Sequence, residues 1–198
     1  MFAELLRSKL EGVCELPEPQ IERLKFHYDL LTRWNRLLSL TSVRTLEEAV
    51  ERHYCESVFV GCHLPEGPAS VADVGSGAGF PGIPIAIVRP GCSVVLIESH
   101  QRKAAFLKEA SRDLPNVRVL ARRAEDVAER FDWVVSRAVR YSDIAGALKK
   151  LGRNAELLTG EVRAEDLSGF EWQEPVRLPW GDRRYLWIGS NVVRDTPT

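Results

Sequence analysis

The fold of this chain is decided by the stretch Val71-Ala72-Asp73-Val74-Gly75-Ser76-Gly77-Ala78-Gly79-Phe80-Pro81-Gly82-Ile83-Pro84. A short apolar strand runs into an acid, then into alternating glycines, and then into an apolar helical pattern. This order is typical of the nucleoside-binding turn at the carboxyl end of the first strand of a parallel α/β sheet. Each glycine lacks a Cβ, so the backbone can bend sharply there and a ligand can approach closely. The stretch therefore predicts a nucleoside site built on such a sheet.

The spacing of these glycines distinguishes between two classes of nucleoside-binding enzyme. A dinucleotide fingerprint reads G-x-G-x-x-G, and its third glycine packs the helix against the strand. Here Gly75 and Gly77 fit that pattern, but Phe80 occupies the third position. The pattern present is D-x-G-x-G-x-G, which resembles the S-adenosylmethionine loop of Rossmann-like methyltransferases. A glycine loop that binds no ligand stays open as the alternative, because such motifs also match by chance.

The composition is that of an ordinary globular protein. The chain has 198 residues, of which 44% are hydrophobic and 28% are charged, enough for one core with a small appendage. No apolar run approaches the length of a membrane span, and the first seven residues read as an amphipathic helix and not as a secretory signal. The four cysteines form no C-x-x-C pair and have no histidine at metal spacing. This pattern predicts free thiols in a cytoplasmic protein, with no metal site.

Two kinds of pattern divide the chain. Residues 1–66 read as a helical N-terminal extension, with apolar residues at helical spacing from Ile21 and a capping box at Thr45 and Glu48. Residues 67–198 alternate between strand and helix, which predicts an α/β core with a parallel sheet. We treat extension and core as one globular unit. The predicted strands are 70–74, 93–97, 117–120, 133–136 and 156–159, the predicted helices are 83–88, 101–114, 124–128 and 142–151, and a tail hairpin pairs 174–178 with 184–188.

The acid after the second predicted strand is a candidate ribose ligand. Glu98 stands where an acid commonly accepts hydrogen bonds from the ribose hydroxyls of a bound nucleoside. The upstream glycine loop favours this role over that of a helix-start acid stabilised by the helix dipole. After the third strand, residues 122–126 form a charged loop. An adenine contact and plain helix capping by Glu125 and Asp126 are equally open there.

The end of the fourth predicted strand is Ser136-Arg137, and the reactive base lies over this strand end in this fold. Enzymes that methylate exocyclic amines usually have an acid or asparagine before Pro-Pro and an aromatic residue here, and cytosine C5 enzymes use a cysteine after proline. Neither motif is present. The absence of both motifs favours a ring nitrogen such as guanine N7 as the acceptor, because its in-plane lone pair needs no general base. Arg137 stays protonated; it could bind the methionine carboxylate, an RNA phosphate or the guanine edge, or pair with Asp132 or Asp143.

Further motifs accompany the glycine loop. They are Trp34-Asn35, Leu40-Thr41-Ser42, Arg52-His53, Glu98-Ser99, Arg102-Lys103, Phe106-Leu107, Arg123-Ala124-Glu125 and Ser136-Arg137-Ala138. Together they resemble the small-subunit ribosomal RNA methyltransferase G family, also called glucose-inhibited division protein B. The resemblance covers most of the chain. It is most specific in the G-F-P-G-I-P continuation of the glycine loop and in the S-R-A signature.

That resemblance implies an enzyme that transfers a methyl group from S-adenosylmethionine to N7 of one guanine in bacterial 16S rRNA and releases S-adenosylhomocysteine. It implies a Rossmann-like class I methyltransferase fold, with a seven-stranded sheet and a helical N-terminal extension. Arg137 is the one candidate for a catalytic role, through positioning and electrostatics. The resemblance implies donor contacts at Gly75, Phe80, Ala124, Glu125 and Arg137, with Glu98 on the ribose. The other predicted donor-binding residues lie in or beside the same motifs and are Asp73, Gly77, Gly79 and Ser99.

Some positions depart from the family pattern. Ser39 replaces the usual asparagine, Glu56 replaces the aspartate expected before Ser57, and Thr159 stands where the family often has lysine. The stretch 160–181 also looks shorter than usual. These departures bear on the RNA contacts and on the last helix more than on donor binding.

The net charge of −1 argues against a protein that bulk charge holds on nucleic acid. It favours recognition of a folded RNA or an assembled particle through a focused patch and through shape. Solvated helix faces explain any single basic residue, so the clusters of basic residues are the stronger signal; Arg44 and Lys108 belong to two of them. The candidate RNA-binding residues are Arg33, Arg36, Arg52, His53, Arg102, Lys103 and Arg140.

The sequence thus predicts a cytoplasmic, monomeric rRNA (guanine-N7)-methyltransferase. Its partner is 16S rRNA or the small ribosomal subunit particle, with no membrane and no metal. A nicotinamide-dependent oxidoreductase is one alternative, but it needs a glycine where Phe80 stands. A non-enzymatic rRNA-binding or assembly factor that kept a vestigial nucleoside loop is the other.

Overall fold

The N-terminal part of the chain is helical, as its periodicity predicts. The computed structural model describes residues 1–137, 140–160 and 168–192. The first elements are α1 (Phe2–Leu10), α2 (Glu18–Leu38), α3 (Leu46–Ala49), a π-helical segment (Val50–Cys55) and α4 (Glu56–His63). Thr45 caps α3, because its hydroxyl oxygen accepts a hydrogen bond from the N–H of Glu48 at 3.2 Å. The π-helical segment was not predicted, since hydrophobic spacing does not distinguish a single wide turn from an α-helical one.

Strands and helical segments alternate from Ser70 to Thr159, and three further strands follow in the described residues. The strands are β1 (Ser70–Val74), β2 (Ser93–Ile97), β3 (Val117–Leu120), β4 (Phe131–Arg137), β5 (Gly152–Thr159), β6 (Phe170–Trp172), β7 (Val176–Arg177) and β8 (Tyr185–Asn191). The helices are α5 (Gly82–Val88), α6 (Gln101–Ala110), a 3-10 turn (Ala124–Asp126) and α7 (Tyr141–Leu151). The predicted limits of β1, β2 and β3 are confirmed to the residue, whereas β4 and β5 are longer than predicted.

Two predicted helices are shorter in the structure. The helix predicted over 101–114 ends at Ala110, and Leu114 closes a turn through its N–H on the Ser111 carbonyl at 2.9 Å. Leu114 precedes Pro115, and a residue before proline is disfavoured in the helical conformation. The helix predicted over 124–128 is a single 3-10 turn that ends at Asp126. Both errors lie at element ends, where hydrophobic periodicity carries least information.

The sheet has the strand order β3-β2-β1-β4-β5-β8-β6, with β7 also paired to β8. Strands β1 to β5 are parallel, and β8 runs antiparallel to its neighbours. The described residues therefore form eight strands and not the implied seven. The difference arises at one edge, where β6 pairs with residues 189–191 of β8 and β7 pairs with residues 185 and 186. Pro175 interrupts that edge, because it has no N–H for the ladder. Pairing of β7 with β8 confirms the predicted hairpin.

Both faces of the sheet are covered by helices, because successive residues of β1 pack into two different hydrophobic cores. Val71 packs into a core that includes Leu6, Leu24 and Tyr54 of the N-terminal helices. The next residue, Ala72, packs on the other face, in a core that α7 helps to form. The N-terminal helices thus share a core with the sheet and lie beside the carboxyl end of β4. No helix of the described part of the chain is both long and apolar enough to cross a membrane.

Candidate active site

The glycine loop follows β1 and adopts backbone angles that require glycine. Gly75, Gly77 and Gly79 have φ values of 75°, 56° and 91°, in the region that side chains disfavour. The N–H groups of Gly75 and Ser76 donate to the carbonyl of Ile97 at 3.0 and 3.1 Å, which ties the loop to the end of β2. A Cβ on Gly79 would lie 2.5 Å from Cδ1 of Ile83, whereas a Cβ on Gly77 would meet only the Gly75 carbonyl at 3.8 Å. Gly77 therefore borders open space.

Asp73 lies beneath this loop and shapes it from below. Its side chain is fully buried, and Oδ2 accepts a hydrogen bond from the N–H of Gly82 at 2.9 Å. The Ser76 hydroxyl donates to the Asp73 carbonyl, also at 2.9 Å. Burial raises the pKa of Asp73 to about 7, and the Gly82 N–H opposes that rise. Asp73 thus connects β1 to the start of α5 and does not face the open side of the loop.

A buried histidine of α2 holds the loop from the side of the N-terminal helices. His27 Nε2 lies 3.0 Å from the carbonyl oxygen of Ala78 and Nδ1 lies 2.9 Å from the hydroxyl of Tyr54. Because a carbonyl only accepts, Nε2 carries the proton and Nδ1 accepts from Tyr54. Burial lowers the pKa of His27 to about 4, so the ring is neutral. His27 was not among the predicted site residues; its only sequence signal is its place on the apolar face of α2, one turn after Leu24.

Glu98 stands at the end of β2 and connects two backbone segments. Its Oε2 accepts from the N–H of Gly77 at 2.9 Å, and its Oε1 accepts from the N–H of His100 at 2.7 Å. The glycine loop and Glu98 together border a cleft of about 420 Å³, which we name the donor cleft. This volume is within the range of small-molecule sites. An ionised carboxylate has about four acceptor positions, so each oxygen keeps capacity for a ligand hydroxyl.

Arg137, the last residue of β4, lies at the wall of the donor cleft with its side chain only 11% exposed. One of its nitrogens, Nη1, donates to the Arg52 carbonyl, and Nη2 donates to Nδ1 of His53 at 2.6 Å. The guanidinium carbon is 5.8 Å from the centre of the Phe80 ring. Burial lowers the pKa of Arg137 to about 10, so the group stays charged at neutral pH. Asp132 and Asp143, which the sequence offered as possible ion-pair partners of Arg137, do not contact it in the described structure.

His53 links Arg137 to α2 through a chain of hydrogen bonds. Because a guanidinium only donates, Nδ1 of His53 is an acceptor and Nε2 carries the proton, which it donates to the Thr41 hydroxyl at 2.7 Å. Asn35 in turn holds the backbone of Thr41, through hydrogen bonds of 2.8 and 3.0 Å. Burial, then the charge of Arg137, lowers the pKa of His53 to about 3. The ring stacks on Phe80 at 4.6 Å, so His53 supports the wall and is not exposed for base stacking.

Glu56 neutralises the arginines of this region. It is 1% exposed, and its Oε2 lies 2.7 Å from Nη2 of Arg184 and 3.9 Å from Nη1 of Arg137. Burial raises the pKa of Glu56, and Arg137 and Arg184 oppose the rise. The glutamate that departs from the family pattern thus connects β4 to the segment before β8. Arg184 was not among the predicted site residues, because its partner is 128 residues away along the chain.

The structure also shows the conformation of Ser39 and the surroundings of Thr159, the other two positions that depart from the family pattern. Ser39 ends α2 with φ 48° and ψ 51°, a left-handed conformation in which asparagine is better tolerated than serine. Thr159 is buried at the carboxyl end of β5, where its hydroxyl donates to the Gly160 carbonyl at 2.5 Å. The Thr159 side chain therefore does not extend into solvent as a lysine would. Within the stretch 160–181 that looks short, residues 161–167 lie outside the described ranges.

The predicted donor-binding residues divide into two groups. The walls of the donor cleft include Gly75, Gly77, Phe80, Glu98 and Arg137, together with the predicted RNA-binding residues His53 and Lys103. The remaining predicted donor-binding residues lie outside these walls: Asp73, Gly79, Ser99, Ala124 and Glu125. Ala124 is buried in the 3-10 turn after β3, and the exposed Glu125 accepts from Lys150 Nζ through its carbonyl at 2.7 Å. The roles of both groups stay predictions.

The basic residues predicted for RNA lie mostly on the surface. Exposed side chains are those of Arg33, Arg36, Arg44, Arg52, Arg102, Lys108 and Arg140. Of these, Arg52 pairs with Glu48 at 2.9 Å. Ser136, next to Arg137, is buried and donates to the Val74 carbonyl at 2.8 Å, so its hydroxyl is not available to a substrate. The described residues contain no cluster of three or more side chains suited to a metal ion.

Comparisons with known proteins bear on the family and on the fold. A model of the family described as rRNA small subunit methyltransferase G matches residues 20–166. Ribosomal RNA small subunit methyltransferase G from Chromobacterium violaceum is 35% identical over 189 residues, which cover 90% of this chain and 85% of that protein. The protein of the same name from Lachnoclostridium phytofermentans is 36% identical, and the match covers 92% of this chain and 86% of that protein.

A solved structure supports the fold. Magnesium protoporphyrin IX methyltransferase from Synechocystis PCC 6803, determined with bound S-adenosylmethionine, has a TM-score of 0.62 at 14% identity and covers 90% of this chain and 99% of its own. The predicted α/β methyltransferase fold is thereby confirmed. Because a family model and relatives along nearly the whole chain agree with the motifs, the chain belongs to the rRNA small subunit methyltransferase G family.

Proposed function

We propose that this protein transfers the methyl group of S-adenosylmethionine to N7 of one guanine in the 16S rRNA of the bacterial small ribosomal subunit. Membership of the family supports the reaction and the class of substrate. The observation that carries the choice of a ring nitrogen is the state of the ionisable groups in the donor cleft. None of the described ionisable groups in this cleft is a general base with a free lone pair near the end of β4.

His53 and Glu98 are the two side chains of the donor cleft that could otherwise accept a proton. His53 has no free lone pair, because Nδ1 accepts from Arg137 and Nε2 carries the proton that binds Thr41. Glu98 accepts hydrogen bonds from the N–H groups of Gly77 and His100, which hold its carboxyl group at the glycine loop and not at the end of β4. An exocyclic amine needs a proton acceptor, whereas N7 loses no proton when it is methylated.

The donor cleft has the features that S-adenosylmethionine requires. Gly77 leaves open space above the loop, and Glu98 has acceptor capacity for the two ribose hydroxyls. Lys103 and Arg137 provide positive charge at the cleft wall for the methionine carboxylate. When bound, this donor supplies a methyl group activated by a positively charged sulfur. The residues of the chain then hold donor and guanine in line and exclude water, which is the main source of rate enhancement in such a transfer.

Arg137 is the residue that we propose to orient the guanine or the methionine carboxylate. Its two hydrogen bonds and the Phe80 ring hold the guanidinium in one place at the end of β4. Charge balance is simple: the attacking N7 gains the positive charge that the sulfur loses, and no proton leaves. RNA contact is proposed for the exposed side chains of Arg33, Arg36, Arg102 and Arg140. The protein is proposed to act in the cytoplasm and as a monomer.

A methyl-transfer assay tests this function. The protein is incubated with methyl-labelled S-adenosylmethionine and with 16S rRNA or small-subunit particles that lack the modification, and nucleosides are separated by mass spectrometry. We expect label in 7-methylguanosine alone, at one position. A Gly77→Ala variant is the matched control for donor binding. Label in a different nucleoside, or in none on any form of the RNA, would contradict the proposal.

The two alternatives make different predictions in binding experiments. A nicotinamide-dependent oxidoreductase would bind NAD more tightly than S-adenosylhomocysteine in calorimetry, and we expect the reverse. A non-enzymatic assembly factor would bind RNA without methyl transfer, and a Glu98→Gln substitution would not affect its function. We expect Glu98→Gln to weaken binding of S-adenosylhomocysteine, because one acceptor oxygen is lost at the loop.

A further inference from the structure

A second cavity, of about 280 Å³, adjoins the donor cleft. It lies between the carboxyl-terminal half of α2, the loop that follows α2, and the π-helical segment. We name it the side cavity. Thr41 and His53 belong to the walls of both spaces, so a single pair of side chains separates them. A chain that enters the donor cleft at this edge would therefore pass the side cavity.

The charge of the side cavity has one sign. Its walls contain Arg36 and Arg44 and no carboxylate. The cavity is therefore a local concentration of positive charge, although the net charge of the chain is −1. A concave surface lined by one sign of charge focuses the field and attracts counter-charged ligands.

Some arginines elsewhere on the surface are paired with acidic residues. Arg118 forms a bidentate pair with Glu129, and Arg112 lies 3.4 Å from Glu109. Arg36 and Arg44, by contrast, have no acidic partner in the part of the chain that the structure describes. Their charges are thus not neutralised within the protein. A guanidinium without an internal partner is well suited to bind a phosphate, which matches its fork of donors.

The loop that carries Arg44 is already held in place. The Asn35 amide donates to the Thr41 carbonyl at 3.0 Å and accepts from the Thr41 N–H at 2.8 Å. The Thr41 hydroxyl then accepts from the N–H of Val43 at 3.1 Å, directly before Arg44. Because these contacts fix the loop without using either arginine, the cavity is pre-formed, and binding requires little ordering of the backbone.

We infer that the side cavity binds a phosphate-bearing nucleotide of the RNA strand, adjacent to the guanine that enters the donor cleft. This inference rests on the proposed function, because it assigns the occupant of the neighbouring cleft. The shared wall of Thr41 and His53 places the two nucleotides next to each other. Contact with the phosphate positions the strand and does not read its sequence. A free mononucleotide has the same chemistry, and the experiment separates the two sources.

The test measures RNA affinity directly, in the presence of S-adenosylhomocysteine, by fluorescence anisotropy with 16S rRNA fragments. We expect Arg36→Gln and Arg44→Gln each to weaken RNA binding on the order of tenfold. Each should also lower the slope of log affinity against log salt by about one. Arg36→Lys keeps the charge and should recover part of the loss. Arg23→Gln is the matched control, because Arg23 is exposed on the same helix about 20 Å away.

Each outcome decides the inference. Equal RNA affinities for Arg23→Gln, Arg36→Gln and Arg44→Gln would overturn it. Binding of guanosine monophosphate that is lost in the two side-cavity variants, with RNA binding unaffected, would assign the cavity to free nucleotides and overturn the RNA assignment. Unchanged calorimetric affinity for S-adenosylhomocysteine shows that the donor cleft is intact. The side cavity is tested by RNA binding, and the proposed function is tested by methyl transfer. A protein that binds RNA through the side cavity but transfers no methyl group would contradict only the proposed function.

Discussion

Arg137 donates a hydrogen bond from Nη2 to Nδ1 of His53 over 2.6 Å, although the two residues are 84 positions apart in the sequence. The contact joins the end of β4 to the π-helical segment of the N-terminal extension. It holds the guanidinium at the wall of the donor cleft and fixes the tautomer of His53. The extension is therefore part of the candidate active site and not only a cover for one face of the sheet.

Substitution of Arg137 tests whether this contact positions a reacting group. We expect Arg137→Ala to lower kcat on the order of 100-fold, because a small loss of alignment is costly in an in-line transfer. The fold should persist, since Glu56 keeps Arg184 as a partner at 2.7 Å. Arg112→Ala is the control, an exposed arginine with a weak surface pair. Rates are measured by methyl transfer and folding by circular dichroism; an unaltered kcat would leave Arg137 with a structural role only.

His53 should act as a neutral positioning residue. Burial lowers its pKa to about 3 from 6.5, so it does not change charge between roughly pH 5 and pH 8. His53→Gln keeps an acceptor for Arg137 and a donor for Thr41, and we expect it to retain most of kcat. His53→Ala removes both and should lower kcat about tenfold. The pH profiles of kcat for wild type and His53→Gln should have the same shape. An ionisation near pH 6.5 that disappears in His53→Gln would contradict a neutral His53.

Two glycines of the loop should respond differently to alanine. At Gly77, φ is 56° and the new Cβ would have space, so the cost is about 1–2 kcal/mol of backbone strain together with weaker binding of S-adenosylhomocysteine. At Gly79, the new Cβ would lie 2.5 Å from the buried Ile83, so we expect a larger loss of stability. Calorimetry measures the affinity, and urea unfolding measures the stability. A Gly79→Ala protein as stable as Gly77→Ala would show that the Ile83 contact is easily relieved.

Glu156 should make stability depend on pH. It is buried in β5, and neither carboxylate oxygen has a partner in the described structure. Burial raises its pKa to about 8 from 4.5, so between these values the folded state holds a proton that the unfolded state releases. Stability contributed by this group is therefore lost as pH rises, by at most about 1.4 kcal/mol per pH unit.

Glu156→Gln removes this titration and should flatten the pH dependence relative to wild type. Urea unfolding at about pH 5 and about pH 8 measures the difference between the two proteins. His27 and His53 are present in both proteins, so their opposite contributions cancel in that difference. A wild-type protein that gains stability over Glu156→Gln as pH rises would mean that Glu156 is ionised and paired in the fold.

Local sequence patterns were sufficient to predict the parallel strands near β1 and the loop that follows β1. The limits of β1, β2 and β3 were predicted to the residue, because buried parallel strands are short apolar runs bounded by turn residues. The glycine loop was predicted because a positive φ and close packing exclude side chains, which leaves a visible pattern of glycines. The resemblance to a family then identified the donor, since the family motifs include the same glycine loop.

The contacts between distant side chains became known only from the folded arrangement. His27 and Ala78 are 51 positions apart, and Arg184 and Glu56 are 128 positions apart, and no local pattern connects either pair. Periodicity tells which face of a helix is buried, but not which polar group opposes it across the core. For the same reason Asp73, predicted to bind the donor, is found beneath the loop, and His53 is found behind Phe80. The physical cause is that a buried polar group must find a partner in space, and folding, not sequence distance, supplies that partner.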